Sequence, residues 1–286
     1  MPAHGENAVT NGGSAIGEAI GAHMETSVQK VIKEFVANYG LRFISDLGKG
    51  QKPGSRRKLT LPDGKGNKFS IDGLVMDAEG HPLVLLESKY IRYKKHNKDK
   101  GSWICNVHSA LRGNYKSIKS SIAVLAGNWS APSLEMLMKS KVQVFLIQFD
   151  AICTILDEYG IDFRWEENDA DSAQLAWEIY DALSEEQKTE IGERMVDQIK
   201  PSLCDYLKSI FENQQSRKIT RLFVEFETNL GEKLIHSFAG AEDAIQYIDA
   251  FDLEKAFDES TFVSIYDMVT EEEIFDDWDE PEPDLS

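Results

Sequence analysis

The first half of the chain alternates between apolar stretches of helical spacing and apolar stretches of strand length. From Ala15 to Tyr39 the apolar residues recur every three or four positions, which is the spacing of a buried helix face. The segment "LRFIS" (41–45) has the length of a short strand. Two longer apolar runs, "KFSIDGLVM" (68–76) and "PLVLLESKY" (82–90), flank the turn "DAEGH" and predict a hairpin.

Helices and strands continue to alternate after the hairpin. Residues 103–120 are predicted as a helix with Trp103 on its apolar side. The runs "SIAVLAG" (121–127) and "KVQVFLIQF" (141–149) are predicted as buried strands, separated by a short helix that starts near Pro132. The first 150 residues therefore follow an αβββαβ order with a further helix–strand unit, which predicts an α/β fold.

The second half reads as mainly helical up to about residue 214, followed by a hairpin at 221–238 and a helix at 241–251. This pattern predicts four parts along the chain. They are a disordered leader at 1–14, a core at 15–150, a helical and hairpin appendage at 151–251, and an acidic tail at 252–286.

Charge is distributed unevenly along the chain, whose net charge is −18. Residues 49–120 contain 16 Lys and Arg against 6 Asp and Glu, whereas residues 252–286 contain 14 acids and one lysine. The acidic total therefore does not exclude a polyanionic ligand. The three cysteines are far apart, which fits a reducing cytoplasm, and no apolar run has membrane-spanning length. We expect a cytoplasmic protein with no membrane partner.

Three charged residues interrupt the predicted hairpin. Glu87 and Lys89 are two positions apart, so they share one face of their strand, and the hairpin can bring Asp72 beside Glu87. Two neighbouring carboxylates repel each other unless a cation lies between them, and Mg²⁺ prefers such oxygen ligands. A lysine beside the ion could position or deprotonate a water molecule, or stabilise a phosphorane. The alternative is a solvated hairpin edge.

Asp72 followed by Glu87-Ser88-Lys89 resembles the D-(x)n-(D/E)-x-K signature of the PD-(D/E)xK nuclease superfamily. Ile71 stands where the family usually has a proline. The resemblance covers roughly residues 15–150 and implies a restriction-endonuclease-like αβββαβ core with a mixed sheet. It implies that Asp72, Glu87 and Lys89 are catalytic and that the first two bind Mg²⁺, with Mn²⁺ as a substitute.

The same resemblance implies a third metal ligand from the first core helix. Glu25 shares the apolar face of that helix with Val28 and Ile32, and we prefer it over Glu18, which lies nearly on the same line. Glu34 falls on the opposite face. The alternative for Glu25 is a partly exposed helix residue without a ligand role.

Basic residues concentrate around the predicted site and are candidates for binding nucleic acid phosphates, the alternative being a solvated charged face. The predicted nucleic-acid-binding residues are Arg56, Arg57, Lys58, Arg92, Lys94, Lys95 and Lys98. The chain has no phosphate-binding loop of the GxxxxGK[ST] type, so no nucleotide cofactor is expected.

These features predict a Mg²⁺-dependent endodeoxyribonuclease of restriction or defence type that acts on DNA. Cutting both strands would require a homodimer, because one such site cuts one strand. A DNA repair or recombination nuclease, a catalytically inactive DNA-binding regulator of the same fold, and an acidic protein that mimics DNA are the alternatives. Phe275 and Trp278 among the acids of the tail further suggest that the tail covers the nucleic acid groove; a disordered or partner-docking tail is the alternative.

Overall fold

A long helix with one apolar face begins the described part of the chain. The computed structural model describes residues 11–49, 56–93, 97–213 and 215–258. Helix α1 spans Gly12–Ala37, and the Asn11 side chain caps it by accepting the N–H of Ser14. The predicted leader is therefore too long at its C-terminal end, because residues 12–14 already belong to the helix.

The remaining elements alternate much as the apolar pattern predicts, up to residue 213. The strands are β1 (Arg42–Ile44), β2 (Asp46–Lys49), β3 (Arg56–Lys58), β4 (Thr60–Pro62), β5 (Lys68–Ser70), β6 (Gly73–Met76), β7 (Pro82–Ile91), β8 (Ser120–Gly127) and β9 (Val142–Gln148). The helices are α2 (Asn97–Asn114), α3 (Ala131–Lys139), α4 (Phe149–Asp157), α5 (Ala170–Asp181), α6 (Glu185–Asp197) and α7 (Lys200–Phe211).

Five of these strands form a mixed sheet in the order β1-β6-β7-β8-β9. The pairs β1–β6 and β6–β7 are antiparallel, while β7–β8 and β8–β9 are parallel. The general prediction of an α/β fold is therefore confirmed. The predicted single strand over residues 68–76 is in fact two strands, because the chain bends after Ser70 and β5 pairs with β4 while β6 pairs with β7.

Helices cover both faces of the five-stranded sheet. On one face, Val84 and Leu86 of β7 pack into a core with the apolar side of α1. On the other face, Leu85 contributes to a cluster with Val107 of α2, and Ile91 to a cluster with Leu137 of α3. This alternation along β7 is the period-two pattern of a buried strand. The central strand therefore points successive side chains at two different helical layers.

Helices α4 to α7 belong to the same core as α1 and are not an appendage. Leu156, Tyr180, Met195 and Leu203 are buried in the cluster that contains the apolar face of α1. Helix α6 approaches α1 so closely that a Cβ at Gly192 would lie 2.6 Å from the carbonyl oxygen of His23. The first compact unit therefore extends to Asn213, and the boundary predicted near residue 150 is misplaced.

The second unit, residues 214–286, contains the predicted hairpin and helix. Strands β10 (Leu222–Glu227) and β11 (Lys233–Phe238) pair antiparallel, followed by α8 (Ala241–Asp249) and α9 (Leu253–Ala256). Phe226 stacks on Phe251 with ring centroids 3.8 Å apart. The predicted tail at 252–286 falls mostly outside the described residues, which end at 258. No helix in the described ranges is both long and apolar enough to cross a membrane.

Candidate metal-dependent active site

Asp72 lies in the bend between β5 and β6, beside the middle of β7. The register of β6 with β7 begins at Gly73 opposite Leu86, so Asp72, one residue before β6, lies next to the Glu87–Ser88 segment of β7. One oxygen of Asp72, Oδ2, accepts the backbone N–H of Ser88 at 2.9 Å. The side chain thus takes the place of a backbone acceptor at the point where β6 begins. The bend that divides the predicted strand is therefore what aims Asp72 at β7.

Lys89 joins the two carboxylates that the hairpin brings together. Its ammonium Nζ lies 2.9 Å from Asp72 Oδ2 and 2.5 Å from Glu87 Oε1. The side chains of Asp72 and Lys89 keep 22% and 25% of their surface exposed, whereas Glu87 keeps 1%. The structure therefore brings together the three residues predicted as catalytic, in one cluster that is open to solvent on the side of Asp72 and Lys89.

Burial controls the protonation of Glu87. Desolvation raises the pKa of its carboxyl to about 8, and the neighbouring negative charge of Asp72 acts in the same direction against the attraction of Lys89. Burial by itself would lower the pKa of Lys89, but Glu87 and Asp72 outweigh burial and raise it above its ordinary value. Lys89 is therefore positively charged at neutral pH, and burial favours the protonated form of Glu87.

Glu25 reaches the cluster from helix α1. Burial raises the pKa of its carboxyl, with a further contribution from the charge of Asp72 and opposition from Lys89. The Gln29 amide, one turn further along α1, donates to Glu25 Oε1 at 2.9 Å and to the backbone oxygen of Asp72 at 3.5 Å. Gln29 thus ties the predicted third ligand to the bend. Sequence reasoning missed Gln29, although its spacing of four residues from Glu25 was a usable signal.

Glu25 and Lys89 line one cleft of about 1000 Å³, with walls from α1, the end of β7 and the start of α5. Glu18, the less favoured ligand candidate, lines the same cleft further along α1. Glu34 lines a separate groove together with Lys33. Glu25 interacts with Asp72 and Lys89 and shares the Gln29 amide with the Asp72 backbone, so it stays the preferred third ligand.

The carboxylates fit a hard divalent cation by two observations. The oxygens of Asp72 and Glu87 converge on one positive charge, the ammonium of Lys89, so the site is built around a cation. The second oxygen of Glu87, Oε2, is buried and has no hydrogen-bond partner among the described residues. A buried carboxylate oxygen without a partner is costly, and a metal ligand role would satisfy it.

A further polar group lies behind the site, between the sheet and α2. His108 is 1% exposed, and within the described part of the chain neither ring nitrogen has a hydrogen-bond partner. Burial lowers its pKa to about 4, against the attraction of Asp72, so the ring is neutral at physiological pH. Ser121 Oγ on β8 is also buried, and none of the residues that the structure describes bonds to it.

A second group of potential metal ligands occupies the turn between β6 and β7. Ligand atoms of Asp77, Glu79 and His81 lie within 4.8 Å of one another. Asp77 accepts the backbone N–H of His81 at 2.7 Å and contacts its ring nitrogen Nδ1 at 2.9 Å. Glu79 and His81 are exposed. The hydrogen bonds of Asp77 are those of a turn, and an exposed cluster of this kind is common without a bound ion.

Arg92 was predicted to bind nucleic acid, but its side chain is 7% exposed. Its guanidinium donates to the backbone oxygens of Phe163 and Trp165 at 2.7 and 2.8 Å, and to the hydroxyl of Tyr93 at 2.9 Å. The Trp165 ring lies 3.8 Å from its central carbon. Arg92 therefore fastens the 163–165 segment to the end of β7, and its burial speaks against a phosphate contact.

The other predicted basic residues are placed differently. Lys58 at the end of β3 and Lys98 in the first turn of α2 are exposed. Arg56 and Arg57 belong to β3, while Lys94 and Lys95 fall outside the described residues. Of the predicted set, the structure thus shows two exposed cations and one buried one.

Comparison with known proteins does not identify a family for this chain. No protein-family model matches the chain, and no curated protein matches it. One solved structure, titled "Crystal Structure of Protein of Unknown Function AF1548", aligns with a TM-score of 0.29 and 10% identity, covering 66% of this chain and 97% of that one. A similarity at that level carries no argument about fold or function.

Proposed function

We propose that this protein is a Mg²⁺-dependent endodeoxyribonuclease with a restriction-endonuclease-like core. The observation that carries the proposal is the Asp72–Lys89–Glu87 cluster, in which two carboxylates share one ammonium, and Lys89 also lines a cleft. The order α1, β1, β6, β7, α2, β8 supports the αβββαβ core, and the mixed sheet is consistent with it.

Each residue of the cluster has a separable role in the proposed reaction. Asp72 and Glu87 would hold Mg²⁺ or Mn²⁺, with Glu25 as the third carboxylate, and the bound ion would polarise the phosphate and lower the pKa of water. Water then adds to phosphorus while the P–O ester bond breaks, which leaves a phosphate monoester and a hydroxyl. Glu87 must lose its proton before it can act as a ligand, because its pKa is about 8.

The charge state of Lys89 favours one of its three candidate roles. Because the adjacent carboxylates raise its pKa, Lys89 is a poor general base at neutral pH. Its ammonium can donate to the attacking water or to a phosphate oxygen and stabilise the charge that develops in the transition state. We therefore assign Lys89 to electrostatic stabilisation rather than to deprotonation of water.

A nuclease assay with several substrates tests the proposal. Purified protein is incubated with supercoiled plasmid, linear duplex DNA, single-stranded DNA and RNA, in Mg²⁺, Mn²⁺ or EDTA. We expect cleavage of DNA with either metal and none in EDTA. The Asp72→Asn protein should be inactive, while Asp99→Asn, an exposed acid in the same unit, should retain full activity. Equal cleavage by the Asp72→Asn and wild-type proteins would refute the proposal.

The proposed assembly can be tested with the same protein. If both strands of a duplex are cut in one encounter, two sites are needed, so the active species should be a homodimer. Sedimentation of the active protein on DNA measures this. A monomer that makes double-strand breaks in one encounter would contradict the assignment of one strand to each site.

A further inference from the structure

Trp103 of α2 is an exposed aromatic residue beside the candidate active site. Its side chain is 41% exposed, and its ring centroid lies 5.9 Å from Lys89 Nζ. Val107 and Leu111, on the same side of the helix, are fully buried against the sheet. The apolar face of α2 therefore continues past the core at Trp103 and meets the charged cluster there.

The surroundings of Trp103 favour a nucleic acid ligand. Lys100 lies one turn earlier on the same helix and lines the cleft with Lys89 and Glu25. Lys98, in the first turn, is exposed. An exposed ring flanked by lysines is the arrangement by which proteins stack nucleobases while cations neutralise the adjoining phosphates. A surface that binds a partner protein would have no need of a ring beside the catalytic lysine, so this position favours nucleic acid over a protein ligand.

We propose that Trp103 stacks on a nucleobase next to the phosphate that is cleaved, so that the substrate is single-stranded or locally unpaired at that nucleotide. This inference rests on the proposed nuclease function and narrows its substrate class. The faces of a base inside a duplex are covered by its neighbours, so the ring can cover one only after that base leaves the stack.

Removing single bases from the substrate tests the contact directly. Single-stranded oligonucleotides carry an abasic site at successive positions around the cleaved bond, and cleavage rates are measured for wild-type and Trp103→Leu proteins. At the stacked position, loss of the base should slow the wild-type protein about 10-fold, as expected for one base–aromatic contact. The Trp103→Leu protein should be slowed about 10-fold on the intact strand and show no further loss on the abasic one.

Two controls separate stacking from other roles of the ring. Trp103→Phe should retain part of the base dependence, and Met138→Ala, at an exposed apolar residue of α3, should behave as the wild type. If Trp103→Leu slows intact and abasic substrates by the same factor, the ring acts only through Lys89 and the inference is overturned. Equal cleavage of single-stranded and fully paired DNA by the wild type would also overturn it.

Binding without cleavage distinguishes failure of this inference from failure of the proposed function. Quenching of tryptophan fluorescence by the same oligonucleotides is measured in EDTA. If no nucleic acid is ever cleaved but quenching still requires both Trp103 and the base, the stacking contact stands and the nuclease assignment falls. If DNA is cleaved but neither the quenching nor the cleavage rate depends on the presence of the base, the nuclease assignment stands and the stacking contact falls.

Discussion

The two ends of the β6–β7 hairpin each carry a cluster of acidic residues, yet the clusters differ in kind. At the turn, Asp77, Glu79 and His81 bring their ligand atoms within 4.8 Å but remain largely exposed. At the other end, Asp72 and Glu87 surround the ammonium of Lys89, and Glu87 is 1% exposed. Proximity of ligand atoms alone would therefore favour the turn as the metal site, whereas burial and charge favour the open end of the hairpin.

The electrostatic contrast explains why only one cluster is suited to chemistry. Desolvation raises the pKa of Glu87 to about 8. Desolvation is also the largest single influence on the pKa of Asp77, which it raises, but the hydrogen bonds and charge of His81 together outweigh it and lower that pKa. A carboxylate whose hydrogen bonds are made within its own turn has little need of an ion. The carboxyl of Glu87 is buried and only partly hydrogen-bonded, so a bound ion would stabilise it. Strongly shifted groups in a cleft are typical of functional sites.

The largest expected effect is on cleavage. Asp72→Asn and Glu87→Gln each remove a carboxylate charge, so the contribution of the metal to the transition state is lost. We expect activity to fall by at least about 10³-fold, corresponding to several kcal/mol of transition-state stabilisation. Asp77→Asn makes the matched change at the turn and should leave the rate unchanged. A larger loss in Asp77→Asn than in Asp72→Asn would reverse the comparison.

Lys89→Met should have the next largest effect. The side chain keeps its length while the ammonium is removed, so we expect the rate to fall by about 10²–10³-fold, as for loss of a donor to the transition state. Raising the pH should not restore activity, because the role assigned to Lys89 is electrostatic. His81→Gln is the matched change at the turn. Wild-type activity of the Lys89→Met protein would show that Lys89 has no role in the reaction.

The stability of the metal-free protein should depend on pH through Glu87. Between the ordinary pKa of 4.5 and the folded value of about 8, the folded state retains a proton that the unfolded state has released. Stability should therefore fall as the pH rises from 5 to 8, by up to about 1.4 kcal/mol per pH unit, and then level off.

Glu87→Gln should remove most of this pH dependence of the unfolding free energy. The unfolding free energy of the Asp77→Asn protein should change with pH in the same way as that of the wild type. Urea unfolding in EDTA at pH 5, 6.5 and 8 measures the three curves. Parallel curves for the wild-type and Glu87→Gln proteins would show that burial does not perturb Glu87 in solution.

The smallest expected effect belongs to the turn itself. Asp77→Ala removes the acceptor for the N–H of His81 at 2.7 Å, so the hairpin should lose a little stability at every pH between 5 and 8. Thermal unfolding measures the shift, and metal-dependent cleavage should be unaltered. A Tm of the Asp77→Ala protein that falls only when Mg²⁺ is present would indicate that the turn binds the ion.

The cluster at the open end could be predicted because it depends on local rules. Alternation along β7 places Glu87 and Lys89 on one face, and a short turn brings Asp72 close enough to contact Lys89. The bend at Asp72 could not be predicted, because it depends on the separate pairing of β5 with β4. Neither could the contact from Gln29, which reaches Asp72 across 43 positions of sequence.

Long-range packing also accounts for the other differences between the sequence predictions and the structure. Arg92 belongs to a basic run in the sequence, yet the carbonyl oxygens of Phe163 and Trp165 hold it inside the protein. Trp103 has the spacing of a core residue, yet α2 carries it beyond the sheet. Helices α4 to α7 are predicted as an appendage because their apolar faces give no sign in the sequence that α1 is their partner.

Locating a bound metal decides the central claim most directly. Crystals soaked in Mn²⁺ and measured near its absorption edge reveal the ion by its anomalous scattering, independently of any activity. We expect a peak between the carboxylates of Asp72 and Glu87, with Lys89 displaced or adjacent, and no peak there in the Asp72→Asn protein. A peak confined to Asp77, Glu79 and His81, with none at the open end of the hairpin, would contradict the account.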